Sequence, residues 1–312
     1  MAYLGFDTSN YTTSVALYYP EKNRIAHRKK LLPVKEGEKG LRQSDAVFHH
    51  TVQLQEVAGE LFQKEKFSID GICASAFPRM AEGSYMPCFL VGLNTAKILG
   101  STLQKEVKIT SHQNGHIMAA LYGAGRLDLR KERFIAFHVS GGTTEALLVE
   151  PDENEVIRCS LIASSLDLKA GQAIDRAGVM MGLRFPSGAE MDLLSQKSER
   201  DFGKIKVFSK GADVSLSGLE NKCRKMLSDG ESKEDISRFC FLYIASALEA
   251  MTDRIIEEYG CLPIVYSGGV MSNSLIKERL KRKYNGIFAS PEFSADNAAG
   301  VAILAYFKEN KK

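Results

Sequence analysis

Two segments of the sequence repeat one order: a strand-like run, a short turn rich in hydroxyl or glycine residues, and a second strand-like run. The first segment is 3–18, with its turn at 8–13, and the second is 134–151, with its turn at 140–144. This pattern is typical of β-hairpins. An ordinary tight hairpin explains either segment taken alone. Because the pattern occurs twice, the sequence predicts two similar α/β lobes.

The second turn is suited to receive a ligand oxygen. Gly141 and Gly142 have no β-carbon, so a ligand can approach the backbone and its N–H groups. Ser140, Thr143 and Thr144 add hydroxyl donors. Such a turn fits a phosphate or a carbonyl oxygen.

A third segment, 263–273, reads as a buried strand that ends at Gly268 and Gly269 and continues into a helix. A helix entered through two glycines offers unpaired N–H groups and a positive dipole end to a ligand. The G-x-G-x-x-G and Walker patterns are both absent, so neither a Rossmann site nor a P-loop is indicated.

Composition places the chain among soluble enzymes. Its 312 residues are enough for two domains, and 44% hydrophobic with 25% charged residues is ordinary for a globular protein. The net charge of +3 neither requires nor excludes a nucleic-acid partner. The N-terminus enters a strand directly, and the longest apolar helical run, near 239–251, is interrupted by Ser246 and Glu249. We therefore expect no signal peptide and no membrane-spanning segment.

The six cysteines show no C-x-x-C pairing. We therefore expect reduced, mostly buried thiols and a cytoplasmic protein rather than disulfides or a zinc knuckle.

Hydrophobic spacing predicts helices over 45–64, 87–100 and 236–259, with strands over 69–74 and 107–110. The last of these helices has apolar residues at three- and four-residue spacing, which predicts a core helix. His49 and His50 lie in the first helix, where adjacent residues point in different directions, so we assign them to packing.

His112 and His116 are one helical turn apart if their segment is helical, and they then face the same side. That spacing suits one metal ion bound through two imidazoles, although such pairs also occur by chance. Gly115 disfavours a helix, so the presence of glycine at this position needs a separate structural explanation. Gln113 stands where H-E-x-x-H has its Glu, so a metalloprotease base is missing.

Three aspartates have simple alternative roles. Asp175 and Asp192, each near the start of a predicted helix, fit solvated helix charges. Asp296 fits the N-cap of an apolar helix that ends near Phe307.

Together, the motifs resemble the tRNA threonylcarbamoyladenosine transferases, TsaD-like proteins once described as O-sialoglycoprotein endopeptidases or glycoproteases. The resemblance covers nearly the whole chain, in the family's order. It rests on GFDTSNYTTSVAL, the His112/His116 pair, VSGGTTE, AGQAIDR, PSGAEMD, SLSGL, SGGVMSN and SADNAAG.

The resemblance implies two RNase H-like lobes of the actin, hexokinase and Hsp70 superfamily, with a central cleft for nucleotide and metal. The N-terminal lobe is expected at 1–118 plus 294–312, because the last helix returns to it, and the C-terminal lobe at 119–293.

The resemblance also implies the site residues. The histidine pair and Asp296 are expected to hold one divalent metal, iron before zinc. His138 stands where archaeal-type members have a metal-binding Tyr and is a candidate fourth ligand. The residues expected to contact substrate or nucleotide are His138, Val139, Ser140, Gly141, Gly142, Asp175, Gly188, Asp192, Gly268, Gly269 and Asn273.

The family reaction is an acyl transfer that moves threonylcarbamoyl from its adenylate to the exocyclic amine of the adenosine beside the tRNA anticodon. The implied cofactors are the metal and an adenine nucleotide or acyl-adenylate. The implied partners are tRNA, a smaller paralogue of the same fold and an ATPase, with no membrane.

The chain departs from the family pattern at several polar positions. Tyr11 and Thr12 replace an acidic pair, Asn114 and Gln172 each replace a Glu, and Thr143 replaces a His. The G-P-G turn of the first lobe reads Phe-Pro-Arg at 77–79. Two further hypotheses therefore accompany tRNA transfer: a divergent paralogue with another carbamoyl acceptor, and a non-catalytic nucleotide-binding partner of a family member.

Overall fold

A computed structural model describes residues 1–9, 11–33, 41–294 and 298–310. The chain divides into two compact units. Unit 1 comprises Met1–Glu132, Glu150–Cys159 and Glu292–Lys312, and unit 2 comprises Arg133–Val149 and Ser160–Pro291. The lobe boundaries given from the sequence, 1–118 plus 294–312 and 119–293, stay a prediction.

The elements follow in chain order. They are β1 (Ala2–Ser9), β2 (Thr12–Tyr19), β3 (Arg24–Leu31), α1 (Gln43–Lys64), β4 (Ile69–Phe77), α2 (Phe89–Leu103), β5 (Val107–Ser111), α3 (His112–Gly123), β6 (Phe134–Val139), β7 (Thr144–Asp152), β8 (Val156–Ser164), α4 (Ala170–Met180), α5 (Gly188–Ser195), β9 (Ser209–Lys210), β10 (Asp213–Val214), α6 (Ser217–Ser228), α7 (Lys233–Tyr259), β11 (Ile264–Ser267), α8 (Ser274–Tyr284), β12 (Ile287–Phe288) and α9 (Ala299–Glu309).

Two five-stranded sheets share one topology. The first has the order β3-β2-β1-β4-β5, and the second has the order β8-β7-β6-β11-β12 when read from the corresponding edge. In each, an antiparallel hairpin, β1–β2 or β6–β7, is followed by two parallel neighbours. The repeat of two α/β lobes predicted from the hairpin segments is confirmed.

The core of unit 1 lies between its sheet and its helices. All of β1 and β2 is buried, and apolar side chains of α1 pack on the sheet. His50 of α1 is fully buried and its Nδ1 lies 2.8 Å from the Thr13 hydroxyl. Burial lowers the pKa of His50 to about 4, so the imidazole is neutral and has a packing role.

Helix α9 packs tightly on α3 through two glycines. A β-carbon on Gly300 would lie 1.8 Å from the carbonyl oxygen of Gly115. A β-carbon on Gly115 would lie 3.0 Å from a methyl group of Val301. Gly115 therefore stands inside a helix because a neighbouring helix occupies the space beside it.

The core of unit 2 is organised around α7, which the spacing predicted to be a core helix. Its residues from Ile236 to Ile255 bury apolar side chains against the sheet and the other helices of the unit. Within the sheet, the Tyr266 ring stacks between the Phe137 and Phe288 rings, with centroids 5.0 Å away on each side. Among the described residues, no helix combines the length and the apolar character needed to cross a membrane.

Candidate functional site

The turn between β6 and β7 has the open backbone that the sequence predicts. The N–H of Ser140 donates to the carbonyl of Thr143 at 2.7 Å, and the N–H of Thr143 donates to the Ser140 hydroxyl at 3.1 Å. A β-carbon on Gly141 or Gly142 would have no heavy atom within 4 Å. These two glycines therefore leave space above the turn, where a ligand can reach the backbone.

Helix α4 begins against this turn. The N–H of Gly171 donates to the carbonyl of Ser140 at 3.1 Å. A β-carbon on Gly171 would lie 2.7 Å from both the Cα and the nitrogen of Gly141. Gly171, which was not among the predicted site residues, therefore allows the helix N-terminus and its dipole to approach the turn.

Gly268 makes a close backbone contact, and its predicted contact with a ligand stays a prediction. Its φ of 97° is in the region that favours glycine, and a β-carbon there would lie 2.2 Å from the carbonyl oxygen of Val139. Gly268 thus lets β11 lie close to the end of β6, while its neighbour Gly269 faces the cavity described below.

Asp175 of α4 holds the segment that precedes α5. Its Oδ1 accepts the Ser187 N–H at 2.8 Å. Burial raises the pKa of the Asp175 carboxyl, and the N–H of Ser187 opposes that rise. A half-buried carboxylate with a raised pKa that lines a cavity is a typical ligand-contacting group.

Asp192 of α5 is joined to the start of α8. Its Oδ1 accepts hydrogen bonds from the Asn273 amide at 2.7 Å and the Ser274 hydroxyl at 3.0 Å. Asn273 also caps α8, because its Oδ1 accepts the Ile276 N–H at 2.9 Å. Asp192 and Asn273 were predicted separately as ligand contacts, and the structure places them side by side.

These elements enclose a cavity of about 400 Å³ within unit 2. Six of the predicted residues line it: Gly141, Asp175, Gly188, Asp192, Gly269 and Asn273. Its apolar wall includes Ile174, Phe241 and Val270. Sequence reasoning missed this wall because apolar residues at helical spacing carry no signal beyond core packing.

His138, Val139, Ser140, Gly142 and Gly268 are absent from the described lining of this cavity. His138 lies in β6 of unit 2, and its Nδ1 is 3.4 Å from the Ser267 hydroxyl oxygen. Its assignment as a metal ligand stays a prediction.

The histidine pair lies in unit 1, at the start of α3. The rings of His112 and His116 have centroids 4.3 Å apart, as the one-turn spacing predicted. The Nδ1 of His112 lies 2.7 Å from Oδ2 of Asp7, at the end of β1. Because a carboxylate only accepts, Nδ1 carries the proton and the lone pair of the neutral ring is on Nε2.

Asp7 is 2% exposed and is itself held in place. Its Oδ1 accepts the Ser75 hydroxyl at 2.8 Å and the Ser9 N–H at 3.1 Å. A carboxylate that orients an imidazole in this way is the usual outer partner of a metal-binding histidine, so this pair fits a metal ion. Asp7 lies in the first hairpin segment, and the sequence alone indicated no role for it.

Asp296, the third predicted metal ligand, lies outside the described residues. No group of three or more His, Cys, Asp or Glu side chains suited to a metal occurs in 1–9, 11–33, 41–294 and 298–310.

Two departures from the family pattern have structural roles here. Asn114, between the two histidines, is fully buried, and its amide donates to the Ile157 carbonyl at 2.9 Å. A carboxylate could not donate that bond. Gln172 accepts the Lys169 N–H at 3.4 Å and so caps the start of α4, which Glu does equally well.

Comparison with known proteins gives a consistent result. The family model TsaD, tRNA N6-adenosine threonylcarbamoyltransferase, matches residues 23–303. A relative from Thermosipho africanus is 29% identical, with 98% of this chain and 94% of the relative covered. One from Kosmotoga olearia is 32% identical, with 71% and 68% covered. Both are described as tRNA N6-adenosine threonylcarbamoyltransferases.

Solved structures share the fold at low sequence identity. Full-length HypF in its phosphate- and nucleotide-bound form has a TM-score of 0.60 and 14% identity over 99% of this chain and 55% of that one. Component A of the Acidaminococcus fermentans (R)-2-hydroxyglutaryl-CoA dehydratase has a TM-score of 0.57 and 17% identity over 99% and 98%. The ROK hexokinase of Thermus thermophilus has a TM-score of 0.51 and 14% identity over the whole of both chains. These likenesses concern the fold alone and agree with the predicted α/β fold of two lobes.

Proposed function

Because the chain belongs to the tRNA N6-adenosine threonylcarbamoyltransferase family, we propose that it transfers a threonylcarbamoyl group from its adenylate to the exocyclic amine of the adenosine next to the tRNA anticodon. The observation that carries the proposal is the cavity of unit 2, since it combines the groups that an acyl-adenylate needs.

The cavity has complementary walls for the parts of an adenylate. Backbone N–H groups at Gly141 and Gly269 suit the phosphate, and the nearby N-terminus of α4 adds its dipole. Asp175 and the Asp192–Asn273 pair offer acceptors and a donor for ribose hydroxyls or base amines. Ile174 and Phe241 supply an apolar surface for the flat base.

The reaction requires one bond to form and one to break. The adenosine amine attacks the carbamoyl carbon, the bond from that carbon to the adenylate phosphate oxygen breaks, and AMP leaves while the amine loses a proton. In this proposal, backbone N–H groups of the turn at Gly141 and Gly142 stabilise negative charge on the carbamoyl oxygen during the attack, and the open space above both glycines supports that role. Asp175 and Asp192 orient the nucleotide during this step.

His112 and His116 would hold one divalent metal ion, with Asp7 fixing the orientation of His112. Imidazole suits both iron and zinc, and we propose iron before zinc because the family resemblance implies it. When bound, such an ion acts as a Lewis acid toward a carbonyl or phosphoryl oxygen.

The proposed partners are tRNA and two accessory proteins, a smaller paralogue of the same fold and an ATPase. The alternatives, another carbamoyl acceptor or a non-catalytic role, are not favoured, because the family model and the relatives reported above all bear the transferase description.

The test supplies the purified protein with threonylcarbamoyl-adenylate labelled in its threonine, unmodified tRNA and the accessory proteins. We expect label on the adenosine beside the anticodon, with one AMP released per transfer. Asp175→Asn should slow transfer, whereas Asp201→Asn, an exposed change in the same unit, should not.

Two outcomes would contradict the proposal in different ways. Calorimetric binding of AMP without any transfer to tRNA would reject the acceptor and leave the other hypotheses. Absence of binding by any adenine nucleotide would reject the cavity assignment and leave only the fold.

A further inference from the structure

One exposed segment of unit 2 alternates between outward cations and inward apolar residues. Lys204, Lys206 and Lys210 are exposed, as is Phe208, at 64% of its surface. Ile205 and Val207, which alternate with them, pack against the hydrophobic core of the unit. We name residues 204–210 the lysine ribbon. The anchored Ile and Val side chains turn the lysines and the phenyl ring toward solvent.

The backbone at the end of the lysine ribbon is held in a fixed register. The N–H of Ser215 donates to the carbonyl of Phe208 at 3.0 Å, and β9 pairs with β10 through Lys210 and Asp213. Gly211 makes the turn between them with a φ of 61°. Phe208 and Lys210 are therefore presented from a hairpin rather than from a free loop.

Hydrogen bonds connect this hairpin to the turn at the cavity. The N–H of Leu166 donates to the carbonyl of Val214 in β10 at 2.8 Å. Its neighbour Ser165 donates its N–H to the carbonyl of Thr144 at 2.9 Å. Thr144 is the last residue of the turn at 140–144, whose Gly141 lines the cavity. These two backbone hydrogen bonds therefore connect the hairpin of the lysine ribbon to the turn at the proposed reaction site, within the same unit.

The two acids that flank the lysine ribbon each accept a hydrogen bond from a backbone N–H. Asp213 directs its Oδ1 to the N–H of Ser164 at 2.6 Å, and Asp201 directs its Oδ1 to the N–H of Gly203 at 2.8 Å. Within the part of the chain that the structure describes, the ammonium groups of the three lysines form no ion pair. The lysine ribbon therefore presents three exposed ammonium groups to solvent within seven residues.

We propose that the lysine ribbon is a contact surface for the acceptor tRNA, with its lysines on backbone phosphates and Phe208 stacked on an unpaired base. The proposal rests on the function proposed above. Cations that follow the phosphates and an exposed aromatic ring for a base are the two elements that bind single-stranded RNA. An anionic membrane also attracts exposed cations and rings, so binding to anionic phospholipid vesicles is measured beside binding to tRNA.

The test measures binding of unmodified tRNA by fluorescence anisotropy over a range of salt concentrations. The ribbon variant combines Lys204→Ala, Lys206→Ala and Lys210→Ala. The matched control combines Lys64→Ala, Lys66→Ala and Lys105→Ala, which removes the same charge from exposed positions in unit 1. Calorimetry with AMP checks the cavity of each variant.

We expect the ribbon variant to bind tRNA more weakly and to lower the slope of log affinity against log salt by roughly 2 to 3, since each phosphate contact contributes about 0.7 to 0.9. The control should keep the wild-type slope, and all variants should bind AMP equally. Phe208→Leu keeps an apolar side chain but removes the ring, and should weaken tRNA binding by about fivefold or more without changing the slope.

Equal losses in the ribbon variant and the control would overturn the inference while leaving the proposed transfer intact. Unchanged tRNA binding in the ribbon variant would also overturn it. If the ribbon variant loses binding to anionic phospholipid vesicles but keeps its binding to tRNA, the surface binds a membrane and the inference fails. If the wild-type protein binds AMP but no tRNA at any salt concentration, both the inference and the proposed function fail.

Discussion

Gly300 of α9 lies so close to Gly115 of α3 that a β-carbon on Gly300 would be 1.8 Å from the Gly115 carbonyl oxygen. The same β-carbon would also lie 2.7 Å from the Ala119 nitrogen, so both of its close contacts are with the backbone of α3. Backbone cannot rotate away as a side chain can, so the two helices would have to separate. This contact fixes α3, which carries the histidine pair.

Gly300→Ala is therefore expected to destabilise the protein by about 1–3 kcal/mol or more, measured by urea unfolding. The control is Gly59→Ala in α1, where the nearest atom to the new β-carbon is the Gln55 amide nitrogen at 3.8 Å. In that open helical position alanine should stabilise by about 0.5–1 kcal/mol. Equal effects of the two substitutions would contradict the importance of the close helix contact.

Asp7→Asn tests the metal assignment. An amide at this position no longer fixes the His112 ring with its proton on Nδ1, so zinc affinity should fall by about 10- to 100-fold. Affinity is measured by chelator competition, with folding checked by thermal unfolding. Ser75→Ala removes one hydrogen bond to Asp7 but keeps the carboxylate, so its effect should be smaller.

If Asp7→Asn and His112→Ala both bind zinc as the wild type does, the histidine pair has a packing role only.

Asp167 gives the stability a defined pH dependence. Partial burial of this largely exposed carboxyl would raise its pKa, but hydrogen bonds from the Ser215 and Ser217 region and the Leu216 N–H outweigh that effect and lower the pKa from 3.8 to about 2. A depressed folded-state pKa stabilises the fold above pH 3.8, and this contribution disappears as the pH falls toward 2.

Asp167→Asn should therefore lower the free energy of unfolding by about 1 kcal/mol near pH 6, after allowance for solvent screening at this exposed position. The difference from wild type should shrink between pH 4 and pH 2 (roughly the interval between the two pKa values). Urea unfolding across this range measures it, with Asp201→Asn as the control for loss of one exposed carboxylate. A difference that is constant with pH would contradict the assignment.

Asn273 has two contacts that substitutions can separate. Asn273→Ala loses the cap on the Ile276 N–H and the bond to Asp192, and should cost about 1–2 kcal/mol in urea unfolding as well as AMP affinity. Asn273→Ser keeps a capping oxygen but cannot donate to Asp192 as the amide does, so it should retain most stability and still lose affinity. Equal AMP binding by both variants and the wild type would remove Asn273 from the site.

The sequence predicted well what local patterns determine. The repeated hairpins led to two lobes of one topology, and the one-turn spacing of His112 and His116 led to facing rings. Local sequence patterns did not predict the contacts between segments that are distant in the chain. Nothing near Asp7 indicates that its carboxylate reaches a ring 105 residues further along the chain, and nothing near Phe241 separates a cavity wall from core packing.

Glycines show the same limit most clearly. The pair at 268 and 269 reads as one ligand-binding motif, yet only the three-dimensional structure separates Gly268, which makes room for Val139, from Gly269, which faces the cavity. Gly171 belongs to the quoted motif AGQAIDR but received no role from the sequence, because the need for glycine there comes from a contact with a turn 30 residues earlier, at Gly141.

Gly171→Ala tests that contact and the cavity together. The added β-carbon would lie 2.7 Å from the backbone of Gly141, so α4 or the turn must move, and the N–H groups at the cavity would lose their alignment. We expect AMP affinity to fall at least tenfold, measured by calorimetry. Gly59→Ala in α1 is the control, because its β-carbon would meet only the Gln55 amide nitrogen at 3.8 Å, and it should leave AMP binding unchanged. If the two variants lose affinity equally, the approach of α4 to the turn has no part in nucleotide binding.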